Sequence, residues 1–271
     1  MSQLDTLPPL RESLAEHGLL ANKSFGQHFL LDLNVTRKIA RLAGPLEGQT
    51  VIEVGPGPGG LTRALVEAGA RVIAVEKDSR FLPLLGELAT VADGRLTVVE
   101  GDALKVDEAA LAGGPGHVVS NLPYNVGTPL LIKWLTGPWR PVSMTLMFQK
   151  EVADRIAAPP GSGAYGRLGV VSQALAKAKV VMDLPARAFT PPPKVASAVV
   201  RLDPLAEPPS AAEIAALERV TAAAFGQRRK MLRSSLKVLG GEALCEKAGI
   251  DPNARAETVP VDGFLRLARA L

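Results

Sequence analysis

The stretch Asn121-Leu122-Pro123-Tyr124 follows a short apolar run, His117-Val118-Val119-Ser120. Asn and Pro commonly open turns, so a plain strand end is one account of it. The chain has only 2 tyrosines, however, and one of them stands here behind a rigid Pro. An amide, a fixed backbone and an aromatic ring together can act on the amino group of a nucleobase. Adenine N6 is a poor nucleophile because its lone pair is delocalised into the ring. If the Asn121 side-chain oxygen and the Leu122 carbonyl accept its two N–H hydrogens, the nitrogen is drawn toward a tetrahedral shape. Its lone pair can then be aimed at an electrophilic methyl carbon. Pro123 presets the turn, so both acceptors are oriented before the base arrives. Tyr124 offers a ring for stacking an extruded base, worth about 1–3 kcal/mol in comparable sites. No general base is required before attack, because the proton leaves readily once the nitrogen carries positive charge.

A second group of residues describes what the methyl would come from. Gly55, Gly57 and Gly60 form a GxGxxG pattern at the end of the apolar run Thr50–Val54. Dinucleotide sites, S-adenosylmethionine sites and simple tight turns share that pattern. Pro56 and Pro58 each remove a backbone N–H, and a pyrophosphate cradle needs those donors, so a ligand without phosphates is favoured. Glu76 lies at the end of the next apolar run, where an acid can accept from both hydroxyls of a ribose. Asp102, at the end of the third, can accept from an adenine amino group. Either acid alone reads equally well as an exposed helix N-cap. Together with the glycine turn they describe a pocket for an adenosine moiety.

These residues need strands to carry them. The runs at 50–55, 71–78, 96–102, 117–121 and 143–149 read as five strands, with helical segments between them that include 59–69 and 79–90. That alternation argues for a mostly parallel sheet with helices on both faces, whose ligands sit beyond the carboxyl ends of the strands. Two later strands, 178–185 and 196–203, have no helix between them and suggest an antiparallel hairpin at the sheet edge. Upstream, Asn34 is a candidate cap for a helix with Val35, Ile39 and Leu42 on its apolar face. After a linker at 203–209, Ser210 and Glu213 have capping-box spacing and helical patterns run to the end. The expected organisation is a larger α/β domain, residues 1–204 with an N-terminal extension over 1–45, and a small helical domain, 205–271.

With 271 residues, 47% hydrophobic and 21% charged, the composition is that of a globular protein with an ample core. A net charge of +4 is compatible with a nucleic-acid partner without requiring one. The single Cys245 excludes an internal disulfide framework and a cysteine-rich zinc site, and no metal site is expected. No apolar run reaches the length of a membrane span and no signal-peptide pattern opens the chain, so a cytoplasmic protein without a membrane partner is expected.

At these residues the chain resembles the small-subunit ribosomal RNA adenine N6,N6-dimethyltransferases, the KsgA/RsmA family. The motifs are FGQHFLLD, VIEVGPGPGGLT, VEKD, GDAL, NLPYNV, MFQKEVADRI, FTPPPKVASAVVRL and RAETVPVDGFLRLA, in that order from residue 25 to the C-terminus. The resemblance implies a class I methyltransferase fold and S-adenosylmethionine as methyl donor. The implied reaction is dimethylation of N6 on two adjacent adenosines near the 3′ end of small-subunit (16S) rRNA, in ribosome biogenesis. By motif match, donor contacts fall on His28, Leu30, Gly55, Glu76, Asp102 and Asn121, beside Gly57 of the glycine turn. Phe189 matches an aromatic placed to sandwich the target base opposite Tyr124. In the residues just before the first motif the one cation is Lys23.

Beside such a site the basic run 225–237 reads as an RNA surface. As a helix it would turn Leu232, Leu236 and Leu239 inward and present Arg228, Arg229, Lys230, Arg233 and Lys237 to phosphates. The substrate partner would be small-subunit rRNA or an immature small subunit, met by a monomer. A large-subunit rRNA adenine methyltransferase shares the Asn-(Leu/Ile)-Pro-Tyr turn. An NAD(P)-dependent oxidoreductase and a non-catalytic RNA-binding assembly factor are the readings from other classes.

Overall fold

The structure is a computed structural model that describes residues 3–19, 28–227 and 229–271. Lys23, the first residues of the FGQHFLLD motif and Arg228 lie outside the described residues. Contacts divide the chain into two compact units, Met1–Lys150 with Val180–Leu202, and Glu151–Lys179 with Asp203–Leu271.

In the first unit, helices α1 (Leu10–Glu16) and α2 (Leu33–Leu42) flank a two-residue strand, β1 (Phe29–Leu30). The cap of α2 is Asp32, not Asn34. Asp32 has the extended backbone a cap requires, and its carboxylate accepts the Asn34 N–H at 2.8 Å, which places Asn34 inside the first turn as a donor. The five expected strands follow: β2 (Thr50–Val54), β3 (Arg71–Glu76), β4 (Leu96–Glu100), β5 (His117–Asn121) and β6 (Ser143–Gln149). Between them lie α3 (Gly60–Glu67), α4 (Leu82–Thr90), α5 (Glu108–Ala112) and α6 (Gly127–Thr136). After α7 (Lys150–Ile156) and α8 (Arg167–Leu175) come β7 (Ala176–Leu184), β8 (Phe189–Thr190) and β9 (Ser197–Pro204).

Seven strands form one sheet in the order β4-β3-β2-β5-β6-β9-β7, while β1 and β8 pair separately. The first five strands are mutually parallel, β9 runs antiparallel to β6, and β7 takes the edge. The order runs outward from β2 in both directions, so the topological switch lies between β2 and β5, where such sheets hold their ligands.

Register decides which side chains meet there. Val51 pairs with Val72 on one side and His117 on the other, in parallel strands whose side chains alternate. Glu53, Glu76 and Asn121 therefore share a face with Val51, Ala74 and Val119, which are buried with Leu61 and Leu65 of α3 in one core cluster. Glu53 is level with Ala74, so Glu76 stands one same-face step further toward the strand ends, and so does Asn121 relative to Val119.

The second unit gathers α8 with α9 (Ala211–Gly226), α10 (Leu232–Ser235), α11 (Gly241–Lys247) and α12 (Val261–Ala270). Its core includes Tyr165, Leu217, Leu232, Leu236, Phe264 and Leu267. The unit is larger than a helical domain starting at 205, because 151–179 packs with it. The Tyr165 hydroxyl donates to the Val259 carbonyl at 3.0 Å, and Gly161 N–H to the Glu257 carbonyl at 2.8 Å. The glycine- and proline-rich loop over 157–166 is thus pinned at both places. A second difference concerns the basic run, which is not one helix. α9 ends at Gly226, Met231 bridges Arg255 in extended pairing, and only the short α10 follows. Leu232 and Leu236 are still fully buried, and Arg229, Lys230, Arg233 and Lys237 are still exposed.

The expected capping box is formed: the Ser210 hydroxyl accepts the Glu213 N–H at 3.2 Å and Glu213 accepts the Ser210 N–H at 2.7 Å. Glu213 also holds Arg269 of α12 at 2.6 Å. Ser210→Ala is expected to cost about 1 kcal/mol, the usual value for a lost cap, read as a lower urea midpoint with an unchanged m value.

Candidate active site

The turn after β2 is built so that backbone can approach backbone. Gly55 has φ 64°, and its N–H donates to the Val75 carbonyl at 2.9 Å, tying the end of β2 to β3. A Cβ there would come within 3.3 Å of the Pro123 ring. Gly57 has φ 53°, and a Cβ there would meet the Phe29 ring at 3.3 Å. Both positions have a left-handed backbone and a close neighbour, which is what glycine accommodates.

The Gly57 N–H is fixed by Glu76. One carboxylate oxygen of Glu76 accepts it at 3.0 Å, and the other accepts the Asp78 N–H at 2.8 Å. A carboxylate has about four acceptor positions, so two remain for hydroxyls of a ligand. Glu76 is 6% exposed. Burial pushes its carboxyl above the ordinary range, while the two backbone N–H groups pull it back.

A cleft opens over this turn, lined by His28, Phe29, Leu30, Glu53, Glu76, Phe81, Asn121, Leu122, Pro123 and Tyr124 together with the turn itself. Among the described lining residues there is no Lys or Arg. Phe29 and Phe81 meet edge to face, ring centroids 5.6 Å apart. Neither Phe81 nor Glu53 stood out in the sequence, although Glu53 is a lone carboxyl inside the apolar run of β2. Glu53 is 1% exposed, and its Oε2 is buried without a hydrogen-bond partner. Burial pushes its carboxyl up to about 8, with Thr62 lowering it and the nearby Glu76 raising it.

Asn121 ends β5 and is half-buried at the cleft wall, followed by buried Leu122 and exposed Pro123. β5 is anchored just below by the Ser120 hydroxyl, which donates to the Val54 carbonyl at 2.6 Å. The Tyr124 hydroxyl hydrogen-bonds the buried Ser197 hydroxyl at 2.8 Å, and burial pushes its pKa up. The His28 ring lies 5.9 Å from the Tyr124 ring, tilted by 32°. His28 Nδ1 donates to the Pro191 carbonyl at 2.8 Å, since a carbonyl can only accept.

Two expected site residues are placed elsewhere. Asp102 does not line the cleft; its carboxylate pairs with Lys77 at 3.0 Å and accepts the Leu104 N–H at 3.0 Å. The Lys77 ammonium first, and the Leu104 N–H second, hold that carboxyl below its ordinary range. Phe189 is 3% exposed and packs in the core cluster with Leu30, Ile39 and Leu184. It pairs with Leu30, which lines the cleft, and the ring that lies against Tyr124 is that of His28. Asn121, Leu122, Pro123, Tyr124, His28, Leu30, Gly55, Gly57 and Glu76 are brought to one cleft. Arg229, Lys230, Arg233 and Lys237 belong to the second unit.

The donor set suits a neutral or cationic adenosine-bearing ligand. Among the described residues the cleft offers an anion two acids and no Lys or Arg, and the proline-flanked turn lacks the N–H array a pyrophosphate needs.

A family model described as "Ribosomal RNA adenine dimethylase" matches residues 18–271. The chain is 73% identical to Ribosomal RNA small subunit methyltransferase A of Phenylobacterium zucineum, over 98% of this chain and 94% of the relative. It is 77% identical to the protein of the same name in Caulobacter vibrioides, over 93% of this chain and 97% of the relative. Among solved structures, a dimethyladenosine transferase from Plasmodium falciparum superimposes with TM-score 0.74 at 25% identity, covering 89% of this chain and 96% of that one. The 23S rRNA methyltransferase ErmE does so with TM-score 0.70 at 27% identity, covering 90% and 99%.

A raised carboxyl pKa has a definite effect on stability. The protonated form is bound preferentially by the folded state, so the stability Glu53 contributes is full below about 4.5 and is lost as pH rises through about 8. Glu53→Gln in ligand-free protein is therefore expected to raise Tm at pH 8.5, by up to a few kcal/mol in free energy, and to leave it unchanged near pH 4.5. Thermal unfolding across that range checks it.

Proposed function

The chain belongs to the ribosomal RNA adenine dimethylase family, and we propose that its cleft dimethylates N6 of two adjacent adenosines in small-subunit rRNA, with S-adenosylmethionine as donor. The observation that carries this reading is that Asn121, Leu122, Pro123 and Tyr124 share one cleft with Glu76 and the glycine turn. The relatives named for the small subunit share 73% and 77% of residues with this chain, and the 23S enzyme 27%. That supports the small-subunit substrate over the large-subunit one.

S-adenosylmethionine supplies an electrophilic methyl on a sulfonium centre. On the protein side, Glu76 offers its two remaining acceptor positions to the ribose hydroxyls, with Leu30 and Gly55 lining the space for adenosine. Phe29 and Phe81 furnish apolar surface for its base. Asn121 and the Leu122 carbonyl accept from the amino group of the target adenine and make its lone pair available. Their acceptors are fixed beforehand: Asn121 by its place on β5, Leu122 by burial, and the turn by Pro123. Tyr124 presents a ring for the target base, held by Ser197 at one end and flanked by the His28 ring. The His28 ring adds a second aromatic face beside Tyr124.

RNA contacts are assigned to the exposed Arg229, Lys230, Arg233 and Lys237. These cations project from a surface backed by buried Leu232 and Leu236, so they are held in place rather than carried on a tail. Such contacts bind phosphates and read folded RNA shape more than sequence.

Two outcomes are expected. Asn121→Ala retains donor affinity within about threefold by calorimetry while methyl incorporation into undermethylated small subunits drops about a hundredfold or more. Full turnover by that variant contradicts the role given to Asn121. Arg233→Ala and Lys237→Ala each weaken rRNA binding and lower the slope of log K against log salt by about 1, without changing donor affinity.

A further inference from the structure

Dimethylation at one nitrogen is two transfers of unequal demand. An adenine amino group has two N–H bonds, in the proposed site one for the Asn121 oxygen and one for the Leu122 carbonyl. In each transfer the N6 lone pair forms the new bond to the methyl carbon. The carbon–sulfur bond breaks with its electron pair staying on sulfur, and one N6 proton passes to solvent. After the first transfer the nitrogen has a single N–H left. One of the two acceptors then receives nothing, and N6 is no longer held on both sides. What orients the base for the second transfer must act on its ring instead.

The ring surface next to the two acceptors is Tyr124, and it is fixed at both ends. Its backbone follows Pro123, whose carbonyl accepts the Val126 and Gly127 N–H groups at 3.1 Å as α6 begins. Its hydroxyl shares a 2.8 Å hydrogen bond with the Ser197 hydroxyl, 73 residues away in sequence. Ser197 is 0% exposed and opens β9, where it pairs with Gln149 at the end of β6. The adjoining Ala196 carbonyl accepts the Lys150 N–H at 2.9 Å, and Ala198, Val199 and Val200 beyond are fully buried. β9 lies between β6 and β7, so the Tyr124 hydroxyl is tied to an interior strand. Without that bond the ring is free to pivot about its two side-chain torsions, and a base stacked on it tilts with it. Ser197 is not among the residues that line the cleft, so it acts on a ligand only through Tyr124.

Resting on the reading of this cleft as an adenine-dimethylating site, we propose that Ser197 is a positioning residue for the second methyl transfer. Its bond to the Tyr124 hydroxyl holds the stacking ring at one angle. That ring orients N6-methyladenine once a single N–H remains to be gripped. The first transfer depends on it less, because two N–H bonds already orient the amino group.

The test is a time course with full-length protein in excess over undermethylated small subunits, at saturating S-adenosylmethionine. The RNA is digested to nucleosides, and N6-methyladenosine and N6,N6-dimethyladenosine are quantified to give a rate for each transfer. Ser197→Ala is expected to slow the first transfer about threefold or less and the second about tenfold or more, so that monomethyladenosine accumulates. Tyr124→Phe keeps the ring and removes the same bond from its other end, and the same product pattern is expected. The double variant is expected to be no slower than either single one, since all three lack one and the same bond. Affinity for S-adenosylhomocysteine, read by calorimetry, is expected to stay within about twofold of wild type in each. Equal slowing of both transfers, or weakened S-adenosylhomocysteine binding, marks general damage to the cleft and overturns the proposal. A wild-type product pattern in Tyr124→Phe overturns it even where Ser197→Ala does not fold, and so do multiplied effects in the double variant. Absence of dimethyladenosine with wild-type protein would overturn the dimethylating reading itself.

Discussion

Two carboxyl groups buried together, with no Lys or Arg among the described residues that line the cleft, are the constraint around which this site is organised. Glu53 and Glu76 stand on adjacent strands, nearly inaccessible to water; burial raises the pKa of each, and Glu76 raises that of Glu53 further. An arrangement of that kind opposes folding, because burial disfavours charge and leaves Glu53 Oε2 unpaired. It persists because the surrounding elements over-determine it. Glu76 is held by two backbone N–H groups from different turns, and those same bonds fix the glycine turn over the cleft. The acid proposed to hold the ribose is thus also the clasp between the ends of β2 and β3.

Much of this was legible in the sequence because it is local. The glycine turn, the two prolines that remove N–H donors, Glu76 at its strand end and Asn121 before Leu-Pro-Tyr are set by neighbouring residues. The strand runs found their places for the same reason. What was not legible depends on partners distant in sequence. Asp102 was expected at the adenine, yet Lys77, on the turn after β3, captures its carboxylate. Phe189 was expected beside Tyr124, yet it pairs with Leu30 and packs in the core cluster. Asp32 and Asn34 are both good caps two residues apart, and only the extended backbone at Asp32 decides between them. The basic run kept its inside and outside but lost its continuous helix, because Met231 pairs with Arg255 some 24 residues on. Glu53 was hidden in plain view: an acid within a run of buried β-formers reads as a strand residue until its missing partner is seen.

The prolines carry a further consequence. Pro56 and Pro58 stiffen the glycine turn, Pro123 stiffens the turn after β5, and Gly55 is packed against the Pro123 ring. The two turns that face each other over the cleft are therefore in mutual contact and restricted in φ. Rigidity of this sort suits a reaction in which the chain's task is to aim a lone pair. Orientation is the resource the fold supplies, and it is supplied before substrate binds.

The acidic floor also bears on turnover. Dimethylation needs repeated transfers, so the spent donor must leave between them. Transfer converts a sulfonium into a neutral thioether, which removes one positive charge from a cleft whose described walls contain two acids and no Lys or Arg. Coulomb attraction between the carboxyls and the ligand falls at the moment of reaction, and in a site this poorly solvated that change is felt more than in water. With the donor bound as proposed, the same burial that makes the empty cleft costly discriminates fresh donor from product. A site lined instead by neutral amides would hold the two with nearly equal strength and gain nothing from the charge that disappears.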